Sequence, residues 1–173
     1  MANTEVLILS DSHGKSNAIA QAVSLARPHL ILFCGDGLRD FTELDLPCPL
    51  YAVRGNCDVF HVPALGDVEE ETVMNLDGLR LLLCHGHRYG VKGGMGTILG
   101  KALWEDVDAV IFGHTHEPLE LTLSPQHANE RFGIHLNRPL HLFNPGSIGY
   151  APHSFGTLTI RRGVPLFGHG QLG

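Results

Sequence analysis

The sequence predicts an α/β protein in which two packed β-sheets are flanked by helices. Continuous apolar runs recur through the first two thirds of its 173 residues, which is typical of strands buried on both faces. Segments with apolar residues at helical spacing lie between some of these runs. The last third alternates apolar with polar residues, which favours half-exposed, antiparallel strands. Together these segments indicate two sheets covered by helices.

The apolar runs share one peculiarity in the residues that follow them. The runs that we predict as buried strands are 6–9, 30–33, 50–53, 79–83 and 107–112. Each run stops at a Gly-containing turn that carries Asp, Asn or His. In α/β sheets, ligands bind beyond the carboxyl ends of the strands. If these strands point the same way, their turns are expected to converge on one edge.

The remaining elements follow from local spacing. A helix is predicted over 18–26 and is stopped by Pro28, and a second helix is predicted over 95–103. Half-exposed strands are predicted within 119–123, 139–143 and 155–160. The polar stretch 124–138 has no clear period, and we interpret it as a long hairpin connection or a small insertion.

Composition and charge limit the classes of function. The formal net charge is −6 and no basic stripe is present, which argues against nucleic acid as a partner. No apolar run is long enough to span a membrane, and the N-terminus lacks the basic and apolar segments of a signal peptide. We therefore expect a cytoplasmic protein without a membrane partner, in which the four cysteines are free thiols. Because no repeat or long linker divides the chain, residues 1–173 are predicted to form one domain.

Some of the 12 histidines stand with Asp and Asn in the turns that follow the predicted strands. The candidate metal ligands in these turns are Asp11, His13, Asp36, Asn56, His85, His114 and His116. Seven donors without a thiolate are too many for one structural zinc ion, and they suit two adjacent ions that share a ligand. A carboxylate can bridge two cations, which favours Asp36 as the shared ligand. Such a pair of ions, about 3.5–4 Å apart, can hold the attacking and leaving oxygens of a phosphoryl centre.

The order of these motifs resembles that of the calcineurin-like metallophosphoesterases, in particular the small, cap-less, YfcE-type phosphodiesterases. The matching motifs are Asp11-Ser12-His13, Gly35-Asp36-Gly37-Leu38-Arg39-Asp40, Gly55-Asn56-Cys57-Asp58, His85-Gly86-His87, Gly113-His114-Thr115-His116 and Asn144-Pro145-Gly146-Ser147. Each motif alone is weak, but all of them occur in family order after the expected elements. The resemblance implies a four-layer α/β/β/α sandwich with two mixed β-sheets flanked by helices.

The resemblance also implies a role for each candidate ligand. The first metal would be held by Asp11, His13 and His116, the second by Asn56, His85 and His114, with Asp36 as the bridge. The cofactors would be two divalent transition-metal ions. We expect Mn²⁺ first, with Ni²⁺, Fe²⁺, Zn²⁺ or Co²⁺ as alternatives. A metal-bridging hydroxide would attack phosphorus in line.

Three residues are predicted to be catalytic: Asn56, which is also a predicted ligand, and Cys57 and His87, which adjoin the ligands. Many family members have a histidine after the motif asparagine, where it helps to protonate the leaving group. The thiol of Cys57 is a poorer hydrogen-bond donor and carries no positive charge. Two readings stay open, one in which Cys57 weakens catalysis on poor leaving groups and one in which it only fills space. His87 is expected to face the substrate.

Neighbouring motif residues are expected to support the site. Asp40 and Asp58 are predicted to orient loops through backbone hydrogen bonds. Arg54 and Arg88 are predicted to have structural or solvated roles, and the segment 144–147 is predicted to form a turn beside the site. The acidic stretch 69–71 is interpreted as a solvated face.

The predicted function is that of a dinuclear metal-dependent phosphoesterase, with phosphodiesters of small molecules as the favoured substrates. One alternative is a phosphomonoesterase that acts on a small metabolite or a phosphoprotein. Another is a protein-binding scaffold like the retromer subunit of this fold, but the motif asparagine is replaced in that subunit and Asn56 is present here. A homo-oligomer is left open, because related small phosphoesterases are often dimers or larger while no apolar interface stripe is evident.

Overall fold

The computed structural model describes residues 3–173 and contains two five-stranded β-sheets. The strands are β1 (Thr4–Leu9), β2 (Leu30–Phe33), β3 (Leu50–Ala52), β4 (Glu71–Leu76), β5 (Leu79–Cys84), β6 (Ala109–Ile111), β7 (Pro118–Leu123), β8 (Leu140–Pro145), β9 (Ser154–Arg161) and β10 (Val164–Gln171). The α-helices are α1 (Ser16–Ala26), α2 (Gly96–Glu105) and α3 (Pro125–Phe132). Short 3₁₀ turns lie at Leu38–Phe41, Pro63–Leu65 and His87–Tyr89.

Both sheets mix parallel and antiparallel pairs. The first sheet has the order β10-β9-β1-β2-β3, in which β1, β2 and β3 are parallel and β9 and β10 are antiparallel additions. The second has the order β4-β5-β6-β8-β7, in which β5, β6 and β8 are parallel and the edges β4 and β7 are antiparallel. Because the parallel strands of each sheet run together, their carboxyl ends meet at one edge.

The layers follow from the alternation of side chains along each strand. In β1, Val6 and Ile8 point into a core between the two sheets, where they join Leu81 of β5. Leu7 of the same strand points the other way, into a cluster that includes Ile19 of α1. Residues of α2 and α3 form a third cluster on the outer face of the second sheet. The structure therefore confirms the predicted sandwich of two mixed sheets between helices.

The predicted strands and helices agree with the structure except at a few elements. The run 50–53 was predicted to be buried, but β3 lies at the edge of its sheet and Tyr51 is half exposed. The segment 139–143 was predicted as half-exposed and antiparallel; β8 does pair antiparallel with β7, but it is mostly buried and also pairs parallel with β6. Strand β8 is central in its sheet, so both of its faces are covered.

Three elements were not predicted. Helix α3 lies inside the stretch 124–138, which does connect the antiparallel strands β7 and β8. Strand β4 begins at Glu71, within the stretch interpreted as a solvated acidic face. Strand β10 pairs with β9 along its full length at the end of the chain.

Two bulk expectations can be compared with the described residues. Within residues 3–173 no helix has the length and apolar character needed to cross a bilayer. The four cysteines in the described part of the chain are all free, as predicted.

Candidate metal centre

The turns at the carboxyl ends of the strands bring the predicted ligands together. Asp11 and His13 follow β1, and Asp36 follows β2. In the second sheet, His85 follows β5, while His114 and His116 follow β6. The two sheets thus contribute comparable shares of one site.

Close backbone approach joins the turns of the two sheets. A Cβ atom at Gly113 would collide with Oγ of Ser10 and Oδ2 of Asp11, so only glycine fits between the turns after β6 and β1. The backbone N–H of His114 donates to Oδ2 of Asp11 at 3.0 Å, and Ser10 Oγ donates to the same oxygen. Asp11 therefore has one carboxylate oxygen that is held by the protein.

The first group of ligands gathers around the other oxygen of Asp11. Nε2 of His116 lies 3.1 Å and Nε2 of His13 lies 3.6 Å from Asp11 Oδ1, and these two nitrogens are 3.3 Å apart. With metal–nitrogen distances of about 2.0–2.1 Å, two ligand atoms on one ion lie about 3–3.5 Å apart. These separations suit three ligands of a single cation.

The second group gathers around Asp36. Nε2 of His85 lies 3.3 Å from Asp36 Oδ2 and 3.2 Å from Nδ1 of His114. Nδ1 of His85 lies 2.7 Å from the carbonyl oxygen of Cys34, so an N–H at Nδ1 donates to this oxygen. Nε2 therefore points into the centre, where it donates to Asp36 when it carries a proton and would offer its lone pair to a metal ion when it does not.

Asp36 lies near both groups. Its carboxylate and His85 and His114 offer ligand atoms within 4.8 Å of one another, and the same holds for Asp36 with His13 and Cys57. Oδ1 of Asp36 also accepts the backbone N–H of Cys57 at 2.7 Å. This position between the groups is the one that a bridging carboxylate needs.

The residues present fit a pair of metal ions. Asp11 Oδ1 is buried and has no hydrogen-bond partner within the described part of the chain, although three imidazoles surround it. Burying an unpaired carboxylate oxygen is costly unless a cation or a donor compensates it. Imidazole nitrogens and carboxylates are the donors that divalent transition metals prefer.

Electrostatics distinguish the two imidazoles of the second group. Burial lowers the pKa of His85, but the hydrogen bond to Asp36 and the charge of Asp11 outweigh it and raise that pKa. Burial and the neighbouring His85 lower the pKa of His114 to about 4. Although burial raises the pKa of Asp36, its hydrogen bond with His85 lowers that pKa to a value well below normal. Asp36 is therefore ionised and His114 is neutral at pH 7, as ligands must be.

Five of the seven predicted ligands have a left-handed backbone. The φ angles are 54° for Asp11, 44° for His13, 62° for Asp36, 69° for His114 and 62° for His116. Non-glycine residues in this region are uncommon and strained, and such residues cluster at functional sites.

Asp58 and Asp40 fix the turns that carry the predicted ligands by accepting backbone hydrogen bonds, as predicted. The carboxylate of Asp58 accepts the backbone N–H groups of Asp36, Gly37, Leu38 and Gly55 at 2.7–2.9 Å. It thereby joins the turn after β2 to the turn after β3. Asp40 accepts from the Gly14 N–H at 2.9 Å and from Ser12 Oγ at 2.5 Å.

The predicted catalytic residues occupy different positions. Asn56 is exposed on the turn after β3, and its amide nitrogen lies 3.4 Å from Cys57 Sγ. Burial and Asp36 raise the pKa of Cys57 to about 11, so its thiol keeps its proton at neutral pH. His87 packs beside His85 and His114, and its buried Nδ1 has no hydrogen-bond partner in residues 3–173. Burial and His85 lower the pKa of His87, so it is neutral.

The turn after β8 lies beside the site, as predicted. Asn144 donates to the Gly113 carbonyl at 2.8 Å, and Ser147 Oγ donates to the Asp11 carbonyl at 2.8 Å. Sequence reasoning missed Tyr150, whose ring stacks on His116 at 5.2 Å and lies 5.2 Å from the ring of His13. Tyr150 lies three residues beyond the Asn144–Ser147 motif, so motif matching alone does not single it out.

The two arginines of the ligand turns have structural roles, as predicted. Arg88 donates to Glu70 Oε2 at 2.8 Å, and Arg54 lies 3.6 Å from Oε1 of the same carboxylate. The neighbouring Glu71 accepts from Tyr89 and pairs with Lys101 at 3.0 Å. The interpretation of 69–71 as a solvated face is therefore wrong for Glu70 and Glu71, because both carboxylates are half-buried in ion pairs.

Comparison with known proteins establishes the family. The family model of the calcineurin-like phosphoesterase superfamily domain matches residues 5–163. The chain therefore belongs to the calcineurin-like phosphoesterase superfamily, and the resemblance drawn from its motifs is confirmed. The chain is 31% identical over 116 residues to the probable metallophosphoesterase YsnB of Bacillus subtilis. The aligned region covers 64% of this chain and 63% of that protein. The match thus spans less than two thirds of that relative.

Solved structures share the fold. A predicted phosphoesterase from Streptococcus pneumoniae superposes with a TM-score of 0.72 at 19% identity, over 99% of this chain and 91% of that one. The phosphoesterase YfcE from E. coli gives 0.57 at 21% identity, over 90% and 88%. Vps29 from Entamoeba histolytica, solved in complex with Zn²⁺, gives 0.64 at 20% identity, over 97% and 99%. Enzymes and a sorting protein thus share this architecture, and the fold alone does not choose between them.

Proposed function

We propose that this protein is a phosphodiesterase that hydrolyses small phosphodiesters with two divalent cations. The observation that carries the proposal is the pair of three-ligand groups around Asp11 and Asp36, with a buried carboxylate oxygen of Asp11 left unpartnered among imidazoles. Asp11, His13 and His116 would hold one ion, and His85, His114 and Asn56 would hold the other. Asp36 would bridge them. When bound, such a pair supplies an activated water and positive charge for phosphoryl transfer.

Hydrogen bonds within the protein fix the orientation of the proposed ligands before substrate binds. The hydrogen bond from His85 to the Cys34 carbonyl fixes the imidazole orientation, and the four N–H groups on Asp58 fix the turn that carries Asp36. Preorganised groups of this kind stabilise developing charge without reorganisation during the reaction.

The charges next to the ligands favour diesters over monoesters. Cys57 keeps its proton because its pKa is raised to about 11, and His87 is neutral because its pKa is lowered. Cys57 and His87 therefore add no positive charge of their own beside the ligands to help bind the second negative charge of a monoester. A phosphodiester carries a single negative charge and does not need that help. In this proposal Cys57 would donate a proton weakly, and His87 would face the ester.

The test compares hydrolysis of bis(p-nitrophenyl) phosphate with that of p-nitrophenyl phosphate. The metal-stripped protein is loaded with Mn²⁺, Ni²⁺, Fe²⁺, Zn²⁺ or Co²⁺, and its metal content is measured in parallel. We expect at least tenfold higher kcat/KM for the diester with Mn²⁺ and a metal content near two ions per chain. Higher kcat/KM for the monoester would favour a phosphomonoesterase instead.

A matched pair of carboxylate variants separates catalysis from scaffolding. Asp36→Asn is expected to lose both metal and activity, because the bridging charge is gone. Asp45→Asn changes an exposed carboxylate away from the centre and is expected to behave as wild type. No hydrolysis with any of the metals, together with unchanged metal content in Asp36→Asn, would favour a protein-binding scaffold like Vps29.

A further inference from the structure

A cleft of about 420 Å³ runs outward from the candidate metal centre. It is lined by His13, Asp36 and Cys57 of the candidate centre and also by Val59 and Phe60, which follow Cys57 and Asp58 in the sequence. Pockets of about 300–1,000 Å³ hold small molecules, so the cleft has room for a ring-sized group attached to a phosphate. A substrate bound at the ions would place one of its ester groups in this cleft.

Two apolar side chains that line the cleft are largely exposed to solvent. Phe60 is 63% and Val59 is 72% solvent-exposed, although both belong to the turn that Asp58 fixes to the metal-ligand turns. Single exposed hydrophobic residues are ordinary. Here two adjacent ones line the same cleft as the ligands, so their position relates them to the site.

Arg39 adds a positive charge to the lining of the cleft, beside Phe60. Its guanidinium lies 4.7 Å from the centroid of the Phe60 ring, and within residues 3–173 it forms no ion pair. The carboxylates of Asp40 and Asp58 also line the cleft, but both accept hydrogen bonds from backbone N–H groups. Arg39 is the arginine among the side chains that line the cleft, and its charge can attract an anionic ligand.

We infer that this cleft is a specificity subsite for an aromatic ester group, which stacks on Phe60 while Arg39 attracts the phosphate charge. The inference rests on the proposed phosphoesterase function and names its substrate class as phosphoesters that carry an aryl ring or a nucleobase. Stacking on an exposed aromatic side chain favours rings of either kind, because each has a π-face.

The test measures binding rather than turnover. Isothermal titration calorimetry of the Mn²⁺-loaded protein compares phenylphosphonate with methylphosphonate, in which a methyl group replaces the phenyl ring. Wild type is expected to prefer the aryl compound by about tenfold. Phe60→Ala should reduce that preference below twofold, and Phe60→Trp should retain it. Arg39→Gln should weaken both compounds by a similar factor of about five, because it removes charge and leaves the ring.

Trp104→Ala is the matched control, since Trp104 is an aromatic residue that is 86% exposed on α2, outside the cleft. An unchanged tenfold preference in Phe60→Ala, or no preference in wild type, would overturn the subsite. Adenosine 5′-monophosphate distinguishes the two ring sources. Parallel loss of its affinity in Phe60→Ala identifies nucleobase esters, and retention identifies simple aryl esters.

Failure of the subsite and failure of the proposed function give different results. If wild type binds phenylphosphonate selectively through Phe60 but hydrolyses no phosphoester, the subsite stands and the function falls. If wild type hydrolyses the diester but Phe60→Ala keeps the full binding preference, the function stands and the subsite falls.

Discussion

The left-handed backbone of Asp11, His13, Asp36, His114 and His116 has an energetic cost at the scale of single residues. Each such residue costs on the order of 1–3 kcal/mol relative to an ordinary conformation. The sheets that carry these turns must offset the cost. With this backbone conformation, the side chains of these residues converge on the candidate centre.

The strain predicts an unusual stability order at His116. In metal-free protein, the free energy of unfolding of His116→Gly should exceed that of His116→Ala by about 1 kcal/mol, because glycine adopts a φ of 62° without strain. Urea denaturation in EDTA measures the difference. The same pair at the exposed neighbour Glu117, which lacks a positive φ, should show the reverse order. The same order at both positions would contradict the interpretation.

The second residue-scale prediction concerns Cys57. Cys57→His should raise kcat for alkyl phosphodiesters more than for aryl phosphodiesters, because alkyl leaving groups need a stronger proton donor than a thiol whose pKa is about 11. Steady-state kinetics with both ester classes measure the ratio. Equal changes for both classes would mean that Cys57 only fills space beside the ligands.

At the scale of elements, Asp58 ties two strand ends into one unit. Asp58→Ala would leave four backbone N–H groups without their acceptor and should lower the free energy of unfolding by about 3 kcal/mol. It should also weaken Mn²⁺ binding at least tenfold, although no predicted ligand is removed. Asp58→Asn keeps one acceptor oxygen and should lose less. Asp67→Ala, at an exposed carboxylate, should change neither quantity.

A second link between elements depends on pH. Burial raises the pKa of Glu71 in β4, but its hydrogen bonds from Tyr89 and Lys101 outweigh burial and lower that pKa below its ordinary 4.5. The ionised form is thus favoured in the folded state, so its contribution is complete above pH 4.5 and is lost as the pH falls through the folded value.

Glu71→Gln should therefore be less stable than wild type by about 1 kcal/mol at pH 7, and this difference should shrink below pH 4.5. Urea denaturation at pH 7 and pH 3.5 measures it. Glu120→Gln changes an exposed glutamate on the edge strand β7 and should show no comparable pH dependence. A difference that is constant with pH would exclude the ionic contribution.

Elements with continuous apolar runs were predictable from the sequence, and elements defined by their partners were not. Every residue of β2 is buried, and its run is apolar throughout. Strand β10 contains glycines and His169, and it is held by pairing with β9. Helix α3 carries local signals that periodicity overlooks, since Ser124 caps its N-terminus and Pro125 occupies its first turn.

The ligand turns were predictable for a similar reason, because each directly follows such a run. Tyr150 and Phe60 were not, because packing of separate turns decides their place beside the centre. Neither residue belongs to a motif that the sequence marks by residue type and spacing. Motifs thus identify the predicted metal ligands, and three-dimensional packing decides which side chains surround them.

At the scale of the whole molecule, the predicted ligands come from both sheets, so the proposed metal binding should stabilise the entire fold. Mn²⁺ at 100 times its Kd should raise the free energy of unfolding by about 2.7 kcal/mol per site. Thermal unfolding with Mn²⁺ and with EDTA measures the change. The shift should fall by more than half in Asp36→Asn. An equal shift in that variant would mean that the ions bind elsewhere.

The position of the centre across both sheets has a consequence for how damage to the core would be felt. Asp11 and Asp36 move with one sheet, whereas His85 and His114 move with the other. The groups of a functional site must be held within about 0.5 Å of their productive positions. The core between the sheets, which contains buried Phe143, sets the position of one sheet relative to the other. A small displacement of one sheet relative to the other, with every strand intact, would still change the distances between the ligands of the two proposed metal ions. If the centre binds metal as proposed, its metal affinity would report the alignment of the two sheets, and it would reveal a misalignment that circular dichroism does not detect.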